Sequence, residues 1–144
     1  MIVLLTVDVE GTHSKAPVDL LITGKIQNEE YGISKIMDLC DYYQINASFF
    51  VDVYEYSLHG FPQMKSVVES IAKRDHDVQL HTHPAWPEDK RDNQKIQDWK
   101  ANNCLFDAKR PWMYQYNLDE QVRILTKGKE LLEEWTDTQI IAHR

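Results

Sequence analysis

Long apolar runs are missing from this chain, and none approaches the ~20 residues that a membrane span requires. Clustered basic charge is missing too: Lys and Arg never stand more than two together, and the formal net charge is -7. Such a composition offers no complementary patch to the phosphates of nucleic acid or to an anionic membrane surface. Cysteine is scarce. Cys40 and Cys104 are the two present, and they lack the short spacing of a metal site. Cys40 falls on a helical apolar pattern and is expected to be a buried small hydrophobe rather than half of a disulfide. No basic leader opens the chain, and Met1-Ile2-Val3-Leu4-Leu5 runs straight into Thr6-Val7-Asp8. That apolar stretch is shorter than the roughly 7–15 residues of a signal-peptide core. The expectation is that Met1 begins the mature protein and that its compartment is the cytoplasm.

What is there suffices for one domain over residues 1–144, with 42% of residues hydrophobic and a core within reach. Residues 2–8 form a short apolar run with β-branched members, the pattern of a buried strand. A polar stretch over roughly 10–28 reads as a long loop. Ile33, Ile36, Met37 and Cys40 then recur at helical steps, predicting a helix over about 29–43 with Asn28 as its N-cap. Residues 45–53 predict a second strand. Pro62 opens a second helix reaching about Lys73, with Val67, Val68 and Ile71 on its apolar face. Residues 77–83 make a third strand, stopped by Pro84. An excursion over 85–116, rich in Trp, Tyr, Asp, Asn and Lys, precedes a third helix over about 118–135. There Asn117 and Glu120 have the spacing of a capping box. Residues 138–143 predict a fourth strand. The order β-α-β-α-β-α-β implies an α/β fold with parallel strands and right-handed crossovers. Sites in such folds gather at the C-terminal ends of the strands.

The chemistry-bearing residues fall at those ends. Asp8 and Glu10 close the first strand and His81 and His83 the third; each pair is two apart and so faces one side of an extended chain. Arg144 closes the fourth. A carboxylate with two imidazoles is a ligand set for zinc or another divalent transition ion. Each piece has an ordinary alternative. A lone His-x-His is more often structural or surface-exposed, two acids can cap a loop, and a terminal Arg can be a solvated charge. Their joint occurrence at the ends of apolar strands favours a site. His13, in the loop after the first strand, could reach the same rim. Trp86, with Trp99, Trp112, Tyr114 and Tyr116, could stack on sugar rings or serve as packing. His59 reads as a surface turn, and His76 as structural or solvent-facing. His143 is expected on the face opposite Arg144.

Thr6-Val7-Asp8-Val9-Glu10, Ile45-Asn46-Ala47-Ser48-Phe49-Phe50-Val51 and His76-Asp77-Val78-Gln79-Leu80-His81-Thr82-His83-Pro84, followed by Ala142-His143-Arg144, resemble the motifs of the polysaccharide deacetylase (NodB-like) family in order and spacing. The family reads roughly T-F-D-D-G, a-T-F-F-v, G-H-E-v-g-x-H-[ST]-x-x-H and then F-R-x-P. The resemblance implies a distorted, incomplete (β/α) barrel and hydrolysis of N-acetyl or O-acetyl groups on a saccharide with a divalent metal, zinc foremost. It assigns Asp8 as general base, with Arg144 holding it ionised and oriented, and His81 as a metal ligand. Val9 stands where the family places its second acid, so Glu10 takes that ligand role. Ala85 stands where the second His belongs, so His83 takes its place. Two further family motifs would follow Arg144, and the domain is expected to be C-terminally incomplete. Two other readings stay open: hydrolysis of a small cyclic amide or imide on the same scaffold, and a catalytically inactive carbohydrate-binding remnant. An unpaired sheet edge would also favour a homo-oligomer.

Overall fold

The computed structural model describes residues 3–11, 17–84, 110 and 112–144. Its central element is a parallel sheet of β1 (Thr6–Val9), β4 (Ser48–Asp52) and β5 (Asp77–His81), in the order β1-β4-β5. The register aligns Val7, Phe49 and Val78 in one row, and Val9, Val51 and Leu80 in the next. Side chains alternate along a strand, so these two rows lie on one face. That face belongs to the hydrophobic core, with Phe49 and Val51 fully buried. The intervening rows carry Asp8, Phe50 and Gln79, then Asp52 and His81, on the other face. The sheet therefore has an apolar side and a polar side, and the polar side leads to the strand ends.

Three amphipathic helices supply the rest of the core. Helix α2 (Ile33–Tyr42) buries Ile33, Met37 and Cys40, the stripe read from the sequence. Helix α4 (Phe61–Ala72), which follows the short α3 (Tyr56–His59), buries Met64, Val67, Val68 and Ile71, with Pro in its first turn, where a missing N–H costs nothing. Helix α5 (Leu118–Thr136) buries Ile124, Gly128, Leu132 and Trp135. Its capping box is formed: Asn117 accepts from the Glu120 N–H at 3.0 Å, and Glu120 accepts from the Asn117 N–H at 2.9 Å. Arg110 Nη1 donates to both oxygens of the Glu120 carboxylate, at 3.1 and 3.0 Å. The cap N–H, then Arg110, hold that carboxyl below the usual range. Gly128 lets Tyr54 and Leu80 approach the helix, since a Cβ there would come within 2.8 Å of Leu80 Cδ1.

Several expectations are corrected. Helix α2 begins at Ile33, and Asn28 is not its N-cap. Instead β2 (Lys25–Ile26) and β3 (Glu29–Glu30) form a hairpin whose two-residue turn is Gln27-Asn28. Both turn residues have positive φ, 50° and 76°, as this turn demands, and Asn tolerates that geometry well. Gly24 and Gly32 close the hairpin base backbone to backbone, where a Cβ on Gly32 would sit 2.2 Å from the Ile22 carbonyl oxygen. The stretch read as a long loop thus holds this hairpin and a short helix, α1 (Val18–Leu21). The first strand starts at Thr6, leaving Val3 and Leu4 exposed.

The predicted fourth strand is reduced to one bridge, His143 beside Leu80 in parallel. Around it the backbone makes three ladder bonds: the Leu80 N–H donates to the Ala142 carbonyl at 3.2 Å, the Arg144 N–H to the Leu80 carbonyl at 3.0 Å and the Thr82 N–H to the Arg144 carbonyl at 3.4 Å. Ahead of them Gln79 Oε1 takes the N–H groups of Ile141 at 3.0 Å and Ala142 at 2.8 Å, where a longer strand would continue the ladder. Among the described residues the sheet stays open, and no helix is long and apolar enough to cross a membrane. Cys40 is buried with a free thiol, while Cys104 and most of the 85–116 excursion lie outside the described residues.

Candidate metal centre

The polar face delivers its groups to one rim. β1 ends at Val9, and Glu10 is the next residue; β5 ends at His81, and His83 lies two beyond. Glu10 Oε2 stands 3.4 Å from His81 Nε2 and 2.9 Å from His83 Nε2. The two imidazoles meet edge to face, with ring centres 4.6 Å apart. All three donor atoms lie within 4.8 Å of one another. Thr82 points the other way, as alternation requires, and meets His143 Nε2 at 2.7 Å. Burial, then the nearby His81 ring, push the His143 imidazole down.

The donor set fits a divalent transition ion. Bonds of about 2.0–2.2 Å to imidazole nitrogen and carboxylate oxygen put tetrahedral ligand atoms roughly 3.4 Å apart, close to the spacings present. His81 is 6% exposed, and neither of its ring nitrogens has a hydrogen-bond partner. Buried polar atoms are rarely left this way, and an ion would take one of the two nitrogens. The three groups are thus placed where they could hold an ion.

Asp8 sits one row back and meets Arg144 Nη1 at 3.4 Å; the same nitrogen donates to Thr6 Oγ1 at 3.1 Å. Arg144 belongs to the segment beyond β5, at the edge opposite β1. The Asp8–Arg144 pair thus reaches across the sheet from one edge to the other.

Three residues at this rim escaped the sequence reading. Asp52, at the end of β4, is fully buried and accepts the N–H of His83 at 2.9 Å and of Tyr54 at 3.1 Å. Burial pushes its carboxyl well above the ordinary range; the two N–H donors oppose that shift, and the Glu55 and Glu10 charges add to it. Glu55 is fully buried and accepts the Gly11 N–H at 2.6 Å. His59, expected on a surface turn, has a side chain only 2% exposed, 3.5 Å from Glu55. The available signal was a pair of charged residues within the apolar run Phe49-Phe50-Val51-Asp52-Val53-Tyr54-Glu55, where burial would demand partners. His76 is structural, buried beneath Phe49 with its Nδ1 accepting from the Ala47 N–H at 3.5 Å. His13, Trp86 and Trp99 lie outside the described residues; Tyr116 is core, whereas Trp112 and Tyr114 are exposed. No family model, curated protein or solved structure matches the chain.

Proposed function

We propose that this protein is a metal-dependent hydrolase that removes acetyl groups, N-linked foremost, from a saccharide in the cytoplasm, on an arc of a NodB-like (β/α) barrel. The observation that carries this reading is the convergence of Glu10, His81 and His83 beside the Asp8–Arg144 pair on one rim. Glu10, His81 and His83 would hold the ion, zinc by their chemistry. Such an ion polarises a carbonyl and makes water acidic enough to attack near neutral pH. Asp8 would take the proton released as water adds to the acetyl carbonyl, and a proton must reach the saccharide nitrogen as its bond to the acetyl carbon breaks, releasing acetate and the free amine. Arg144 keeps the Asp8 carboxyl ionised and fixes its direction, because a fixed cation nearby favours the charged form. Two things support this division of labour. Glu10 lies within ligand distance of both imidazoles, and Asp8 is engaged by a guanidinium instead. The addition of parallel strands in one direction supports the barrel reading.

The test is metal analysis of protein purified without chelators, beside deacetylation of an N-acetylated chito-oligosaccharide. One equivalent of zinc in the unmutated protein, lost in His81→Ala, together with acetate release, is the expected result. A protein that takes up no stoichiometric metal when supplied with it would sink the proposal.

A further inference from the structure

Of the three proposed ligands, His81 is the last residue of β5, whereas Glu10 and His83 lie beyond the ends of their strands. Pairing with β4 stops at Val9 opposite Val51 and at His81 opposite Asp52, so Glu10, Gly11 and His83 lie past its end, although the Thr82 N–H still reaches the Arg144 carbonyl at 3.4 Å. Moreover, β1 and β5 are not neighbours, since β4 runs between them. Something other than backbone pairing must hold Glu10 against His83. The turn that leaves β4 is placed to do it. Asp52 Oδ2 accepts the His83 N–H at 2.9 Å, and Glu55 Oε1 accepts the Gly11 N–H at 2.6 Å. Both carboxyls are fully buried, where hydrogen bonds to N–H are strongest. The turn itself is anchored, because buried Tyr54 donates to the Ile124 carbonyl of α5 at 2.5 Å.

We propose that Asp52 and Glu55 are positioning residues of the metal centre, one clamping the His83 segment and the other the segment that follows Glu10. This rests on reading Glu10, His81 and His83 as the ligands. The two clamps differ in what they need. Both Asp52 oxygens accept an N–H, from His83 and from Tyr54, so an amide would turn a donor against a donor. Glu55 uses one oxygen for an N–H, and its other faces His59 Nε2 at 3.5 Å, so an amide serves there.

Zinc titration of the full chain at neutral pH tests this, with thermal unfolding of the metal-free protein alongside. Asp52→Asn is expected to weaken zinc binding by about 10–100-fold, the usual effect of removing an outer-shell partner. Glu55→Gln should bind as the unmutated protein does. Glu55→Met, of similar length with no acceptor, should weaken binding as Asp52→Asn does, even where its metal-free stability is unchanged or higher. Zinc affinity left intact in both Asp52→Asn and Glu55→Met would overturn the clamp alone. An unmutated chain that binds no zinc would overturn the ligand reading and the clamp with it. Should Asp52→Asn not fold, amide hydrogen exchange of the unmutated, metal-free protein decides. Slow exchange at both His83 and Gly11 supports the clamp, and exchange at free-loop rates refutes it.

Discussion

At the scale of single residues, the two acids of the first strand carry the sharpest distinction. Asp8→Asn should keep the metal and lose about 10²–10⁴-fold in turnover, the usual cost of a missing general base. Glu10→Gln should lose the metal, because a neutral amide is a poor substitute for a carboxylate ligand. Metal titration of the two variants side by side checks this, and retention in Glu10→Gln with loss in Asp8→Asn would reverse the roles. His76 allows a separate forecast. Burial lowers its affinity for a proton, with Arg74 acting the same way and Asp41 and Asp75 opposing. The unfolded chain thus takes up a proton more readily than the folded one. Stability from His76 is full above the unfolded value of about 6.5 and falls as acid titrates through the lower folded value. Urea midpoints should drop between neutral pH and pH 5, and drop less in His76→Gln.

At the scale of elements, helix α5 is tied down at three points. Its capping box satisfies the first turn, and Asn117→Ala should cost about 1 kcal/mol in a denaturant titration. Its midpoint depends on Gly128, where Leu80 and Tyr54 leave no room for a branched side chain. Gly128→Val should destabilise by about 1–3 kcal/mol through overpacking, and should disturb Tyr54, hence the turn carrying Asp52 and Glu55. Its C-terminal cap is Asp137, a non-glycine residue with φ of 55° and a negative charge at the negative helix end. Asp137→Gly removes both penalties and is expected to raise the midpoint of thermal unfolding.

At the scale of the whole molecule, the open sheet leaves β1 at an edge, where the described residues show pairing only with β4. Ahead of it Val3 is 77% and Leu4 71% exposed. Unpaired strand edges with apolar neighbours invite association. Light scattering should therefore show self-association that rises with concentration, and Leu4→Lys should reduce it. A monomer at every concentration would show that the edge is already protected.

Periodicity sufficed for the apolar faces of α2 and α4 and for the capping box of α5, because each depends on residues within a few positions of one another. Alternation likewise made the pairing of Glu10 with two histidines legible, since i, i+2 spacing at a strand end leaves few directions for a side chain to take. The hairpin at Gln27-Asn28 was not legible, because Asn serves caps and turns alike and only the close contact of Gly24 with Gly32 decides between them. The fourth strand is shorter than its apolar run suggests, because Gln79, 62 positions away in sequence, takes the Ile141 N–H ahead of the bridge. The buried carboxyls of Asp52 and Glu55 belong to the same class. A charged residue in an apolar run looks like a strand end until the tertiary structure brings two distant N–H groups to it. Local spacing decided which residues could act together, and long-range packing decided what holds them in place.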